Sequence, residues 1–236
     1  VGVWWILFSQ IAFRFLPKDN KSKELTRSVF FNGYIELRSV WRSFSSHPIL
    51  KSYTGAFFVF SMAVQTVMLI AAYFGEQEIN WGSLSEKQTG LILSIMIIQL
   101  IAIVGAILTA RCSEKFGNLP VLIALNLIWV SLCLYAYFVE TPIQFYIAAG
   151  FVGLSMGGIQ SLARSTYSKF IPKTDDTASF FSFYSTSQMT GIVLGMLLFG
   201  TIDQVTGSMR NSVLFFLSFF LIGAFLLIRL HRKSMV

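Results

Sequence analysis

Of the 236 residues, 55% are apolar and 12% charged, a composition that excludes an ordinary soluble globular domain. The net charge of +7 does not indicate nucleic acid, because the basic residues sit in turns between apolar runs and form no continuous soluble face. The pattern is that of an all-α polytopic membrane protein.

The chain opens without an initiator Met and inside an apolar run, which reads as a fragment. Residues 1–16 are too short to cross hydrocarbon, where about 20 residues are needed, so they read as the end of a transmembrane helix whose beginning is missing. Residues 17–52 form the longest polar connection, with Lys18, Lys21, Lys23, Arg27, Arg38, Arg42 and Lys51 against three acids up to position 51. Within it Phe30, Tyr34, Leu37, Val40, Trp41 and Phe44 recur at helical steps opposite Arg38 and Arg42, which predicts an amphipathic helix on the inner membrane surface; a flexible linker is the alternative. Residues 53–230 hold six apolar segments of spanning length, about 53–74, 88–110, 119–139, 143–163, 178–200 and 213–230, and in lipid these must be helices. Residues 231–236 form a tail. The connections at 111–118, 164–177 and 231–236 are rich in Lys and Arg, whereas the others hold only Lys87 and Arg210. By the positive-inside rule the long loop and the C-terminus are cytoplasmic. The plan is the C-terminal six-helix half of a twelve-helix transporter, with a missing N-terminal half and the lipid bilayer as partners.

Several polar residues interrupt the apolar segments. Gly150, Gly153, Gly157, Gln160, Ser161 and Arg164 recur at three- and four-residue steps, a smooth hydrogen-bonding stripe that should meet protein or a wet cavity before the helix ends at Arg164. Ser61, Gln65 and Thr66 form a polar patch on the first full helix. Tyr184 and Gln188 share a face of the fifth with Gly191 and Gly195, glycines that permit close helix packing. Gln99, set among Ile and Leu, is as much interhelical glue as cavity lining. Asp175, Asp176 and Thr177 read as the N-cap of the fifth helix. We assign Ser61, Gln65, Thr66, Gln160, Ser161, Tyr184 and Gln188 to a substrate pathway. Arg164 either binds an anionic substrate group, closes a gate, or snorkels at the interface. His47 and His231 lie outside the apolar runs, and Cys112 and Cys133 stand 21 apart, so no metal or cofactor is expected. The apolar segments lack Asp, Glu, His and Lys, which argues against an enzyme.

The turn Arg111-Cys112-Ser113-Glu114-Lys115-Phe116-Gly117 resembles the cytoplasmic signature of the major facilitator superfamily, with Arg111, Glu114, Lys115 and Gly117 matching in type; its charges then form a switchable latch or plain topogenic charge. Val64-Gln65-Thr66-Val67-Met68, the run from Gly157 to Ser165, Phe180-Phe181-Ser182-Phe183-Tyr184 and Thr206-Gly207-Ser208 together resemble the branch of that superfamily typified by the autophagy-related vacuolar amino-acid effluxer and its bacterial relatives. The resemblance implies a secondary transporter exporting amino acids or similar small polar metabolites from a bacterial-type inner membrane. Two ionisable positions often seen in that branch are absent here, at Ser61-Met62-Ala63 and at Met189, which puts proton coupling through this half in doubt. A membrane sensor or scaffold that keeps the fold is the alternative.

Overall fold

A computed structural model describes residues 2–15, 37–44, 46–174 and 176–234. Phe30, Tyr34, Asp175 and most of the basic connection lie outside the described residues. The chain divides into two compact units, residues 1–38 and 39–236. In the first, α1 (Gly2–Phe15) is a 14-residue helix, with Trp4 and Phe8 packed ring to ring at 4.3 Å.

The second unit begins with helical residues 39–43. Six long helices follow: α2 (Pro48–Glu78), α3 (Leu84–Phe116), α4 (Asn118–Phe138), α5 (Pro142–Phe170), α6 (Thr177–Thr206) and α7 (Met209–Ser234). All six are long and apolar enough to cross a membrane. Their starts are written locally. Pro48 and Pro142 take the first helical turn, where the missing N–H is no loss. Thr141 and Gln144 form a reciprocal capping box at α5, Ser83 accepts from the Glu86 amide at α3, and Asp176 accepts from the Ser179 amide at 3.1 Å at α6.

All the long helices except α4 run further than the apolar segments predict. The connection expected at 111–118 is helical to Phe116, and α4 starts at Asn118, so Gly117 alone joins them. Its φ of 86° ends one helix and opens the next, a conformation that favours glycine. Arg164 does not end its helix, because α5 continues to Phe170. The last helix likewise continues to Ser234, through most of the predicted tail.

Trp129 of α4 stacks on Phe220 of α7 at 5.4 Å, both fully buried, at the centre of the α2, α4 and α7 packing. A small apolar cavity of about 70 Å³ lies beside it, lined in part by Ile70, Phe74, Cys133, Phe145 and Val213. In lipid the apolar side chains gain little from each other by the hydrophobic effect, so close backbone contact and hydrogen bonds must hold the helices together. The α3–α5 seam supplies the first. A Cβ at Gly153 would stand 2.6 Å from the Ile98 carbonyl oxygen; one at Gly157 would fall on the Ala102 carbonyl, and one at Gly105 on that of Leu154. Two tyrosines supply the second. The Tyr53 hydroxyl donates to Ala163 O at 2.7 Å and that of Tyr167 to Phe180 O at 2.9 Å, each worth about 0.6–2 kcal/mol in a bilayer.

Candidate functional site: a cleft lined by amides

One cleft of about 390 Å³ gathers α2, α5 and α6, with Ala102 of α3 at its side. Its polar lining is Ser61 and Gln65 from α2, Gln160, Ser161 and Arg164 from α5, and Tyr184 and Gln188 from α6. Helical spacing explains the first two sets. Positions 61 and 65 stand four residues apart, and 164 stands four from 160 and three from 161, so each set shares one face of its helix. On α6 the pair 184 and 188 does the same.

Gln160 Nε2 donates to Gln65 Oε1 at 3.4 Å and approaches Met68 Sδ at 3.8 Å, so the two amides meet across the cleft by a long, weak bond. The Ser161 hydroxyl turns back to Gly158 O at 3.0 Å. Tyr184 stacks flat on Phe57, centroids 4.1 Å apart, and touches Tyr167 at 4.9 Å. Tyr53 tilts against Tyr167 at 6.5 Å and against Phe170 at 5.4 Å, and these rings together form an aromatic wall behind the cleft. Among the described residues Arg164 is the sole charged one in the lining; its guanidinium lies over the Phe181 ring at 5.3 Å, and it is exposed.

The structure distributes the predicted residues unevenly. Thr66 does not line the cleft: it is fully buried, donates to Met62 O at 2.8 Å, and sits where a Cβ on Gly195 would fall. Gly191 faces Met62 in the same α2–α6 contact, where an added Cβ would stand 3.4 Å from the Met62 Cβ. Gly150, Gly153 and Gly157 turn toward α3, so the stripe on α5 divides into a packing part and a cleft part; Gly157 borders both. Arg111, Glu114 and Lys115 lie on the last turns of α3, exposed and away from the cleft lining; Lys115 rests over the Phe116 ring at 5.2 Å, and none of the three forms an ion pair among the described residues. Gln99 is exposed.

Two features went unnoticed in the sequence. Arg210, at the start of α7, donates to Glu78 Oε2 at 2.7 Å, to Tyr137 O at 2.7 Å and to Glu78 O at 3.1 Å, tying the ends of α2 and α4 together. The signal was a lone arginine in an otherwise nearly uncharged connection. Asn126, buried at the centre of α4, donates to Leu122 O at 2.9 Å, and its Oδ1 has no partner among the described residues.

A family model described as vacuole effluxer Atg22 like matches residues 1–235. An uncharacterized MFS-type transporter of Bacillus subtilis, YxiO, is 28% identical over 96% of this chain and 51% of its own length. Autophagy-related protein 22 of Pichia angusta is 25% identical over 95% of this chain and 45% of its own, and that of Kluyveromyces lactis 27% over 98% and 48%. The chain thus spans about half the length of the curated relatives it matches. The family's description and the bacterial relative's name denote transport and not catalysis. A match over nearly the whole chain, on six spanning helices with the small-residue seams described above, places this integral membrane protein: it belongs to the Atg22-like vacuole effluxer branch of the major facilitator superfamily.

Proposed function

We propose that residues 53–230 form one half of a secondary transporter that exports amino acids or similar small polar metabolites by alternating access, with the amide-lined cleft as this half's share of the pathway. One observation carries the reading. Gln65, Gln160 and Gln188, from three helices, border a single cleft together with Ser61, Ser161, Tyr184 and Arg164. Uncharged amides and hydroxyls are expensive in hydrocarbon, and here they are set around a space that a polar solute fills. Arg164 offers a planar fork suited to a carboxylate. Among the described residues no acid lines the cleft, so an amino group would find its counter-charge on the other half of the full-length protein.

On this reading residues 1–16 end a preceding transmembrane helix, residues 17–52 form a cytoplasmic loop, and residues 231–236 belong to the cytoplasmic side of an inner membrane. The basic end carrying Arg111, Lys115, Lys169, Lys173, Arg232 and Lys233 supports this orientation. Exposed Cys112 reports it: in sealed inside-out vesicles an impermeant maleimide should label it, and in right-side-out cells it should not.

Transport by the full-length protein in vesicles, screened over amino acids with and without a proton gradient, is the decisive assay. Gln160→Leu should lower the rate about tenfold, the loss of roughly one neutral hydrogen bond to solute, without lowering the thermal midpoint. Arg164→Lys keeps the charge and loses the fork; unchanged transport would assign Arg164 to the interface. That no Asp, Glu, His or Lys lines the cleft among the described residues favours one second reading, a sensor or scaffold without transport. Solute binding that Gln160→Leu weakens, with no flux in any gradient, would select it.

A further inference from the structure

The segment at 39–44 lies against α6 by its apolar side. Val40 and Phe44 are each 4% exposed, and the Phe44 ring meets Phe183 edge-on at 5.0 Å. Trp41 turns outward, 63% exposed, while staying within 6.1 Å of the same phenylalanine. Between this segment, α2 and α6 opens a second cleft of about 500 Å³ that shares no residue with the amide-lined one. Its walls change character with depth. Lys51, in the first turn of α2, stands at the mouth, exposed and in no ion pair among the described residues. The positive end of the α2 dipole adds to its field. Phe58 lies seven residues further along the helix, about 10 Å deeper. On the facing helix Thr186, Ser187 and Thr190 line the cleft. Thr190 donates to Thr186 O at 2.8 Å, but the hydroxyls of Thr186 and Ser187 have no protein partner among the described residues.

A cation at the rim and aromatic rings along the length match the two ends of one molecule. We propose that this cleft binds an anionic phospholipid from the leaflet at the N-terminal end of α2. Its phosphate sits at Lys51, and its acyl chain runs along Trp41 and Phe58. A small soluble anion would leave the aromatic walls unused. A protein segment would need an acid opposite Lys51.

The test uses the full-length protein in phosphatidylcholine vesicles doped with brominated phosphatidylglycerol or, at the same fraction, brominated phosphatidylcholine. Trp41 emission is read as the difference between the parent and Trp41→Phe. One lysine at an anionic surface enriches the charged lipid about fivefold, so brominated phosphatidylglycerol should quench Trp41 the more strongly. Lys51→Gln should abolish that preference while leaving quenching by brominated phosphatidylcholine, and Lys51→Arg should retain it; matched circular dichroism of the variants checks the fold. Millimolar inorganic phosphate should change nothing. Equal quenching by the two lipids would overturn the head-group assignment. No quenching by either would mean that the remaining polypeptide covers the cleft, and competition by phosphate would make it a soluble-anion site; both outcomes overturn the proposal.

Discussion

A side chain at Gly157 would have to occupy the place of the Ala102 carbonyl oxygen, and backbone cannot move aside as a rotamer can. Gly150, one helical step pair earlier, meets only the flexible Cδ1 of Ile101, at 3.3 Å from a modest Cβ. Gly157→Leu should therefore destabilise the bundle by about 2 kcal/mol, as overpacked contacts do, and Gly150→Ala by well under 1 kcal/mol. Thermal midpoints of the full-length protein in detergent measure both. The spacing of Gly150, Gly153, Gly157, Gln160 and Arg164 was legible in the sequence because helical periodicity fixes which residues share a face. Where that face passes from the α3 backbone to open cleft was not legible, since it depends on how neighbouring helices are placed and on nothing within α5. Thr66 shows the same limit. It is adjacent to Gln65 in sequence, yet a rotation of about 100° per residue sends it into the α6 contact.

Helix identity was readable at the scale of the element, and helix ends were not. Apolar length reports the roughly 30 Å of hydrocarbon, whereas the 33 residues of α3 span about 50 Å, so its charged last turns lie beyond the acyl region and remain hydrogen-bonded. Capping chemistry is the better marker of an end. The Asp176 carboxyl is held below its ordinary value of 3.8 by the hydrogen bonds it accepts from Ser179. A carboxylate depressed on folding adds stability above the unfolded value and loses it as pH falls through the folded one. The stability gap between parent and Asp176→Ala should thus be constant near neutrality and vanish below pH 3.8, as a pH series of thermal melts will read. At the other end of the helices Arg210 makes charge-assisted bonds to a half-buried carboxylate and two carbonyls. Arg210→Gln should cost about 2 kcal/mol. Lys87→Gln, which breaks the more exposed pair with Glu76 at 3.2 Å, should cost less than about 0.5 kcal/mol by the same melt.

Six spans, their order and the superfamily follow from hydropathy and a few short motifs, because lipid leaves a spanning backbone so few options. What sequence left open is which helices the bundle encloses. In the apolar windows of α3 and α6 only 11% and 17% of residues are buried, against 39–50% in the other four, and both border the amide-lined cleft. That difference arises from packing order and leaves no mark in composition. Both ion pairs among the described residues, Arg210 with Glu78 and Lys87 with Glu76, lie at the rim where α2 ends and α3 and α7 begin. A backbone bond from Asn80 to Glu140 at 3.0 Å joins two loops there. The opposite rim carries mostly like charges. That rim is laced instead by bonds outside any ion pair, from Tyr53 to Ala163, Tyr167 to Phe180 and Asn118 to Thr166, so added salt should loosen the end held by Arg210 and Lys87 first and leave this one tied.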